Sequence, residues 1–174
     1  MKFYTRASLF TLLLAAAAAL ASDLKYVEHN QLGEPGEVLE VKGDPSRPLN
    51  SGEVRVEVLA TPIHPSDLLR ISGSYGVSPA LPSTPGSEGV GRVTEISEEV
   101  THLAEGQLVL LAGGSTWRDE LIAPAAQLVP LPDLGTPGME VIEQLSMSAV
   151  NPMTALLLLE NFVDLEEDDW VVQS

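Results

Sequence analysis

Over Glu53 to Leu59, charged and apolar residues alternate up to Val58, and Leu59 closes the run. That period of two marks a β-strand with one buried face, because successive side chains point to opposite sides of a sheet. Pro62 and Pro65 end the run. Shorter stretches of the same kind recur along the chain. Val38-Leu39-Glu40-Val41 reads as a strand, as do Gly89 to Ile96, Gln107 to Leu111, Trp117 to Ala123 and Gln127 to Pro130. Short strands every eight to twelve residues or so, with turn residues between them, predict a closed or nearly closed barrel.

Between these strands, Ser66 to Ile71 reads as a short helix capped by Ser66 or Asp67. Ser72 to Glu88 is rich in Gly, Ser and Pro and must be a long loop or a series of turns. Long ordered loops in compact domains often carry function. Beyond Met139 good helix formers take over, with Asn151-Pro152 as a break. A short helix is expected near Val141 to Ser146, and a second from about Pro152 to Asn161 with Pro at an early helical position. Leu165 to Asp169 reads as a turn and Trp170-Val171-Val172 as the start of an apolar strand. The expected class is mainly β, a partly open barrel with short helices.

The first residues read as a leader. Lys2 and Arg6 precede an apolar run from Leu9 to Ala21, and Ala19-Leu20-Ala21 offers small residues where a signal peptidase inspects. The run is shorter than the roughly 20 residues of a transmembrane helix. A leader over residues 1–21 implies the secretory pathway or periplasm, with Ser22 near the mature N-terminus. No acidic residue precedes Asp23, so a mitochondrial presequence is the alternative.

The formal net charge is -16, which repels phosphate backbones and anionic membrane surfaces and excludes a nucleic-acid partner. No membrane role is expected once the leader is removed. The chain has no cysteine and three histidines. Disulfides, thiol nucleophiles and Cys-based zinc sites are thereby excluded. Glu166 to Asp169 is a tight acidic run that reads as a solvated turn.

Five segments in order resemble one family. They are Pro62-Ile63-His64-Pro65-Ser66-Asp67, Gly73-Ser74-Tyr75-Gly76, Pro85-Gly86-Ser87-Glu88-Gly89-Val90-Gly91, Thr116-Trp117-Arg118 and Val150-Asn151-Pro152-Met153-Thr154-Ala155. Together they resemble the zinc-independent medium-chain dehydrogenase/reductases, most closely the mitochondrial-type 2-enoyl-thioester reductases. The resemblance implies a GroES-like domain over residues 25–150. It reads residues 151–174 as a connecting helix and the first strand of a Rossmann domain. In that family the strand runs on into a Gly-rich phosphate-binding turn, so the chain is expected to be a fragment or short form lacking that turn, and inactive alone. The implied parent activity is NADPH-dependent reduction of the 2,3 double bond of an enoyl thioester. A quinone or small enone substrate is the alternative within enzymes, and a non-catalytic GroES-like interaction module the alternative outside them. A homodimer is open for the complete enzyme.

The resemblance also assigns residues. Tyr75 is expected to be catalytic, beside the thioester-conjugated double bond. A phenol keeps its proton at neutral pH, so it can hydrogen-bond the carbonyl as enolate charge develops or hand on a proton after hydride arrives. The residue-level alternative is a tyrosine packed over a Gly-rich turn. Asn151 is expected on the nicotinamide side of NADPH or against the substrate, since its amide both donates and accepts; it also suits the cap of a helix starting at Pro152. Zinc alcohol dehydrogenases place a Cys where His64 stands and a His where Ser87 stands, so no metal is expected. His64, Asp67 and Glu88 could be imagined as ligands, but local pairing of Glu88 is the preferred reading. Trp117 could line an acyl slot and Arg118 meet a phosphate; the plainer reading is a core Trp beside a solvated Arg. Gly86, Gly89 and Gly91 precede a strand, unlike a dinucleotide fingerprint, and read as backbone turns.

Overall fold

The protein was analysed as a computed structural model, which describes residues 24–172. The expected leader and the proposed new N-terminus at Ser22 lie outside the described residues. Strands β1 (Lys25–Glu28) and β2 (Glu40–Gly43) flank a one-turn helix, α1 (Pro35–Val38). Strand β3 (Glu53–Ala60), helix α2 (Pro65–Ser72), strand β4 (Gly89–Ile96) and strand β5 (Leu108–Leu111) follow. The remaining elements are β6 (Glu120–Pro124), a 3₁₀ turn (Ala125–Gln127), β7 (Leu128–Pro130), α3 (Met139–Ser146) and α4 (Asn151–Asn161).

Five strands form one antiparallel sheet in the order β6-β3-β4-β5-β7, and β1 pairs with β2 separately. Two register shifts interrupt the β3–β4 ladder, one between Arg55 and Val56 and one between Val58 and Ala60. Bulges of this kind bend a strand and sharpen its twist, which curls the sheet into the open half-barrel expected of a GroES-like domain. The small sheet is fastened to the large one by backbone. Val27 N–H donates to the Trp117 carbonyl and Asp119 N–H to the Lys25 carbonyl, each at 2.9 Å.

The alternation in β3 is realised residue by residue. Val54 and Val56 are fully buried and meet Val93, Val109, Leu111 and Leu128 in the main core. Burying one such side chain is worth about 1.5–3 kcal/mol. A smaller cluster of Val90 and Leu108 takes Ile142 from α3, which closes one end of the sheet. The opposite face of β3 carries ion pairs. Arg47 pairs with Glu53 at 2.7 Å, and Arg55 pairs with Glu95 at 2.7 Å and with Glu120.

Hydrogen bonds from the Arg47 guanidinium, joined by the Asn50 N–H, lower the Glu53 carboxyl from 4.5 to about 2. A carboxyl lowered by folding stabilises the fold above its unfolded pKa and loses that contribution as the pH falls through its folded one. For Glu53 the window runs from about 4.5 down to about 2. Glu53→Gln is therefore expected to be less stable than wild type at neutral pH, with the gap closing in acid. Urea unfolding at pH 7 and near pH 3 is the check, and a gap independent of pH would refute it.

Several sequence expectations need correction. The strand placed at Val38 to Val41 begins at Glu40, and Val38 closes α1 instead. Pro35 sits at the start of that turn, where its fixed φ suits a helix. The strand expected at Trp170 does not form: residues 170–172 have no regular structure and are exposed. A strand is stable only with a neighbour to pair with, and none runs beside this segment among the described residues. The other elements appear within a few residues of their expected bounds, with β6 confined to Glu120–Pro124. No helix among the described residues is long and apolar enough to cross a membrane.

Candidate functional site

Helix α2 starts with Pro65 at its first position, preceded by His64 in extended backbone. Asp67 takes the His64 N–H on one carboxylate oxygen at 3.0 Å and the Ser87 hydroxyl on the other. This carboxylate is buried, at 2% exposure, and both its oxygens are engaged. The helix ends at Gly73, whose φ of 80° is the left-handed conformation that glycine adopts without cost. Ser74 and Tyr75 then both donate their N–H to the Leu69 carbonyl, at 2.9 and 3.0 Å. That reversal sends Tyr75 back along the helix. Its ring lies 4.9 Å from the Arg70 guanidinium and is 39% exposed. Tyr75 is thus held by its backbone and by a cation–π contact, with its phenol accessible rather than packed over the glycines.

Glu88 is wholly buried at the head of β4. The His64 Nε2–H donates to one of its oxygens at 2.6 Å; the Ala149 and Val150 N–H groups donate to the other at 2.8 Å each. A carboxylate removed from water must be compensated by donors of this kind. The preferred local pairing of Glu88 is therefore half of its role, because it also reaches the chain 61 and 62 residues on. Ser87 links the two parts of the site: its hydroxyl bonds Asp67 and stands 3.5 Å from Arg70 Nη1.

Asn151 is the first residue of α4, not its cap; Val150 precedes the helix, and no side-chain cap bond forms. The helix starts one residue earlier than expected because the Thr154 N–H reaches the Val150 carbonyl at 3.0 Å. Asn151 is exposed. Tyr75 and Asn151 are not joined by a hydrogen bond among the described residues. They stand at the two ends of a run of contacts through Arg70, Ser87, Glu88 and Val150.

A cleft of about 190 Å³ opens beside this run, lined by His29, Asp67, Arg70, Thr84, Gly86 and Ser115 among others. Gly86, with φ of 97°, lets its wall pass close to Thr116 and Trp117; a Cβ there would lie 2.9 Å from the Trp117 nitrogen. Trp117 is half-buried and donates its indole N–H to the Pro62 carbonyl at 3.3 Å. It lines a second groove of about 390 Å³ with Tyr26, Val41, Ile63 and Arg118. Arg118 is not a solvated end: its side chain is 21% exposed, bonds Thr84 Oγ1 at 3.2 Å and lies over the Tyr26 ring at 5.6 Å.

Sequence reasoning passed over Arg70, His29 and Ser115. His29 is 2% exposed and donates Nδ1–H to the Gln31 carbonyl at 3.0 Å. Ser115 has a φ of 59°, rare outside glycine, and the Gly113-Gly114 pair before it was the available signal. Among the described residues no group of three or more His, Cys, Asp or Glu is arranged to hold a metal ion. His64, Asp67 and Glu88, the set imagined as ligands, bond to one another and to backbone instead.

The model of the alcohol dehydrogenase GroES-like domain matches residues 50–133. The chain is 34% identical over 161 residues to the mitochondrial enoyl-[acyl-carrier-protein] reductase of Homo sapiens, covering 91% of this chain and 42% of that protein. A solved complex of Etr1p with NADP and crotonyl-CoA superposes with a TM-score of 0.71 at 27% identity, over 82% of this chain and 44% of that one. An NADPH:quinone reductase from Bacillus thuringiensis does so with a TM-score of 0.72 at 33% identity, over 84% and 43%. The chain spans less than half the length of these relatives. Its open antiparallel half-barrel and these matches agree on a GroES-like domain of the alcohol dehydrogenase type, similar to those of the enoyl-thioester and quinone reductases.

Proposed function

We propose that this chain is the substrate-side domain, residues 25–150, of an enzyme that reduces the 2,3 double bond of enoyl thioesters with NADPH, and that residues 151–172 lead into the cofactor-binding part. The observation that carries the reading is Tyr75, an exposed tyrosine in the G-x-Y-G segment at the end of α2, whose ring lies against Arg70, a residue that lines the cleft. Similarity to the enoyl reductases over most of the chain supports it.

In such a reaction NADPH supplies the hydride to the β-carbon. Tyr75 holds its proton against the thioester carbonyl, where enolate charge develops, or delivers it to the α-carbon. Asn151 fits the carboxamide of a nicotinamide: its amide is exposed and spent on no cap. The Trp117 groove has the apolar walls that an acyl chain needs. A quinone substrate is the second reading, favoured by the likeness to the quinone reductase. A dimer in the complete enzyme belongs to the same proposal, as does the mitochondrion: the relatives are mitochondrial enzymes, and residues 1–21 then read as an import presequence, with nothing in the comparisons favouring secretion.

Joined to the cofactor domain of an enoyl-thioester reductase, the chain is expected to oxidise NADPH with a 2-enoyl thioester and far more slowly with a quinone. The reverse preference would select the second reading. Among the described residues no Gly-rich turn follows a strand and opens a helix, the arrangement that holds a pyrophosphate. The chain by itself is therefore expected to bind NADPH weakly. Calorimetric titration is the check, and a micromolar Kd, about 8 kcal/mol of binding, would mean that the cofactor is held elsewhere.

A further inference from the structure

We propose that Glu88 is a positioning residue: it fixes where α4, and with it Asn151, stands relative to the barrel. The role assigned to Asn151 rests on the proposed function; the mechanical role of Glu88 does not.

None of the residues of α4 is buried against the described part of the chain, so packing on the barrel does little to set where this helix stands. What fastens it is its entry. Glu88 uses one carboxylate oxygen to accept the N–H groups of both Ala149 and Val150, the two residues immediately before the helix. These amides come from a segment that α3 has already brought to the end of the barrel, since Ile142 packs on Val90 and Leu108. The carboxylate is itself held from behind. Its other oxygen takes the His64 Nε2–H at 2.6 Å, and His64 is fixed in turn where its own N–H meets Asp67. Glu88 also begins the strand-bound part of its segment: its carbonyl accepts hydroxyl bonds from Thr61 and Thr116 at 2.8 and 2.9 Å. The side chain is thus rigid at both ends. Charge-assisted bonds of this type are shorter and about twice as strong as neutral ones, and they act here in a site closed to water.

The arrangement differs from a core ion pair. If Glu88 served the barrel alone, its second oxygen would be satisfied by barrel atoms. It spends that oxygen on the approach to α4 instead. The aim of Asn151, one residue past the second bond, is therefore set by a side chain immediately before β4.

The chain has no cysteine, so spin labels can be placed at Glu57→Cys on β3 and Glu160→Cys on α4 without background. Both positions are exposed. A single narrow distance is expected in the parent. Glu88→Met keeps the bulk but leaves both amides without an acceptor; Glu88→Gln keeps an acceptor oxygen and removes the charge. The label distance is expected to broaden in Glu88→Met and, less, in Glu88→Gln. Exchange of the Ala149 and Val150 amides is expected to quicken about tenfold or more in Glu88→Met, while Val56 and Val93 in the barrel keep their protection. If Glu88→Met does not fold, Glu88→Gln carries the test with the same signature. A label distance as narrow in the variants as in the parent would overturn the proposal, and so would barrel amides that loosen as much as Ala149 and Val150. Neither measurement involves reduction, so loss of the enoyl-reductase reading would leave the Glu88 result standing.

Discussion

Tyr75→Phe is expected to lower the turnover of enoyl-thioester reduction by about 100- to 1000-fold, measured on the chain joined to a cofactor domain. The substitution deletes one hydroxyl. The ring stays over Arg70, and the two N–H bonds to the Leu69 carbonyl that fix residue 75 do not involve the side chain. The fold and the loop should therefore survive, and melting temperature is the control. A group that stabilises charge only as the reaction proceeds lowers kcat and kcat/KM together when it is lost, whereas one that merely binds substrate raises KM. Steady-state NADPH oxidation separates the two. Equal turnover in the two proteins would remove Tyr75 from the chemistry and leave the quinone reading as the better one.

A large effect on stability is expected at Gly91. Its hydrogens face β3 so closely that a Cβ would collide with the Val56 side chain and lie 2.7 Å from the Glu57 carbonyl oxygen. Both obstacles belong to a central strand at a bulge, and one is backbone that cannot rotate away. Gly91→Ala should cost roughly 3 kcal/mol, near the top of the range for overpacking. For a chain of this size that is roughly 6–12 °C in Tm. Gly43→Ala is the matched control: it lies in a strand with nothing within 4 Å and an ordinary φ, and its change should stay within about 0.5 kcal/mol. A Gly91→Ala protein as stable as the control would show that β3 and β4 can part without loss.

The strands that carry the core were legible because their signal is local. Alternation over Glu53 to Val58 states both the element and its buried face, and Val54 and Val56 are where it puts them. Helix α1 was not legible: one turn is too short to show a helical period, and Val38 looks like the start of the apolar run that β2 continues. Trp170 to Val172 has a strand's composition, but composition does not supply a pairing partner. At the site, Tyr75 and Asn151 were named through family resemblance rather than physics. The structure adds Arg70, Ser87 and Glu88, which connect them. No pattern in sequence reports a carboxylate that reaches 61 residues along the chain.

Helix α4 has one further consequence. Its leucines 156 to 159 and Phe162 stand in water, from 44% to 74% exposed, on a chain whose net charge is -16. Under the proposed function this is the side of the chain that meets the cofactor-binding part, and an apolar patch of this kind marks a surface that a partner covers. The chain alone is expected to bind a fluorescent apolar dye, and the chain joined to a cofactor domain to bind less of it.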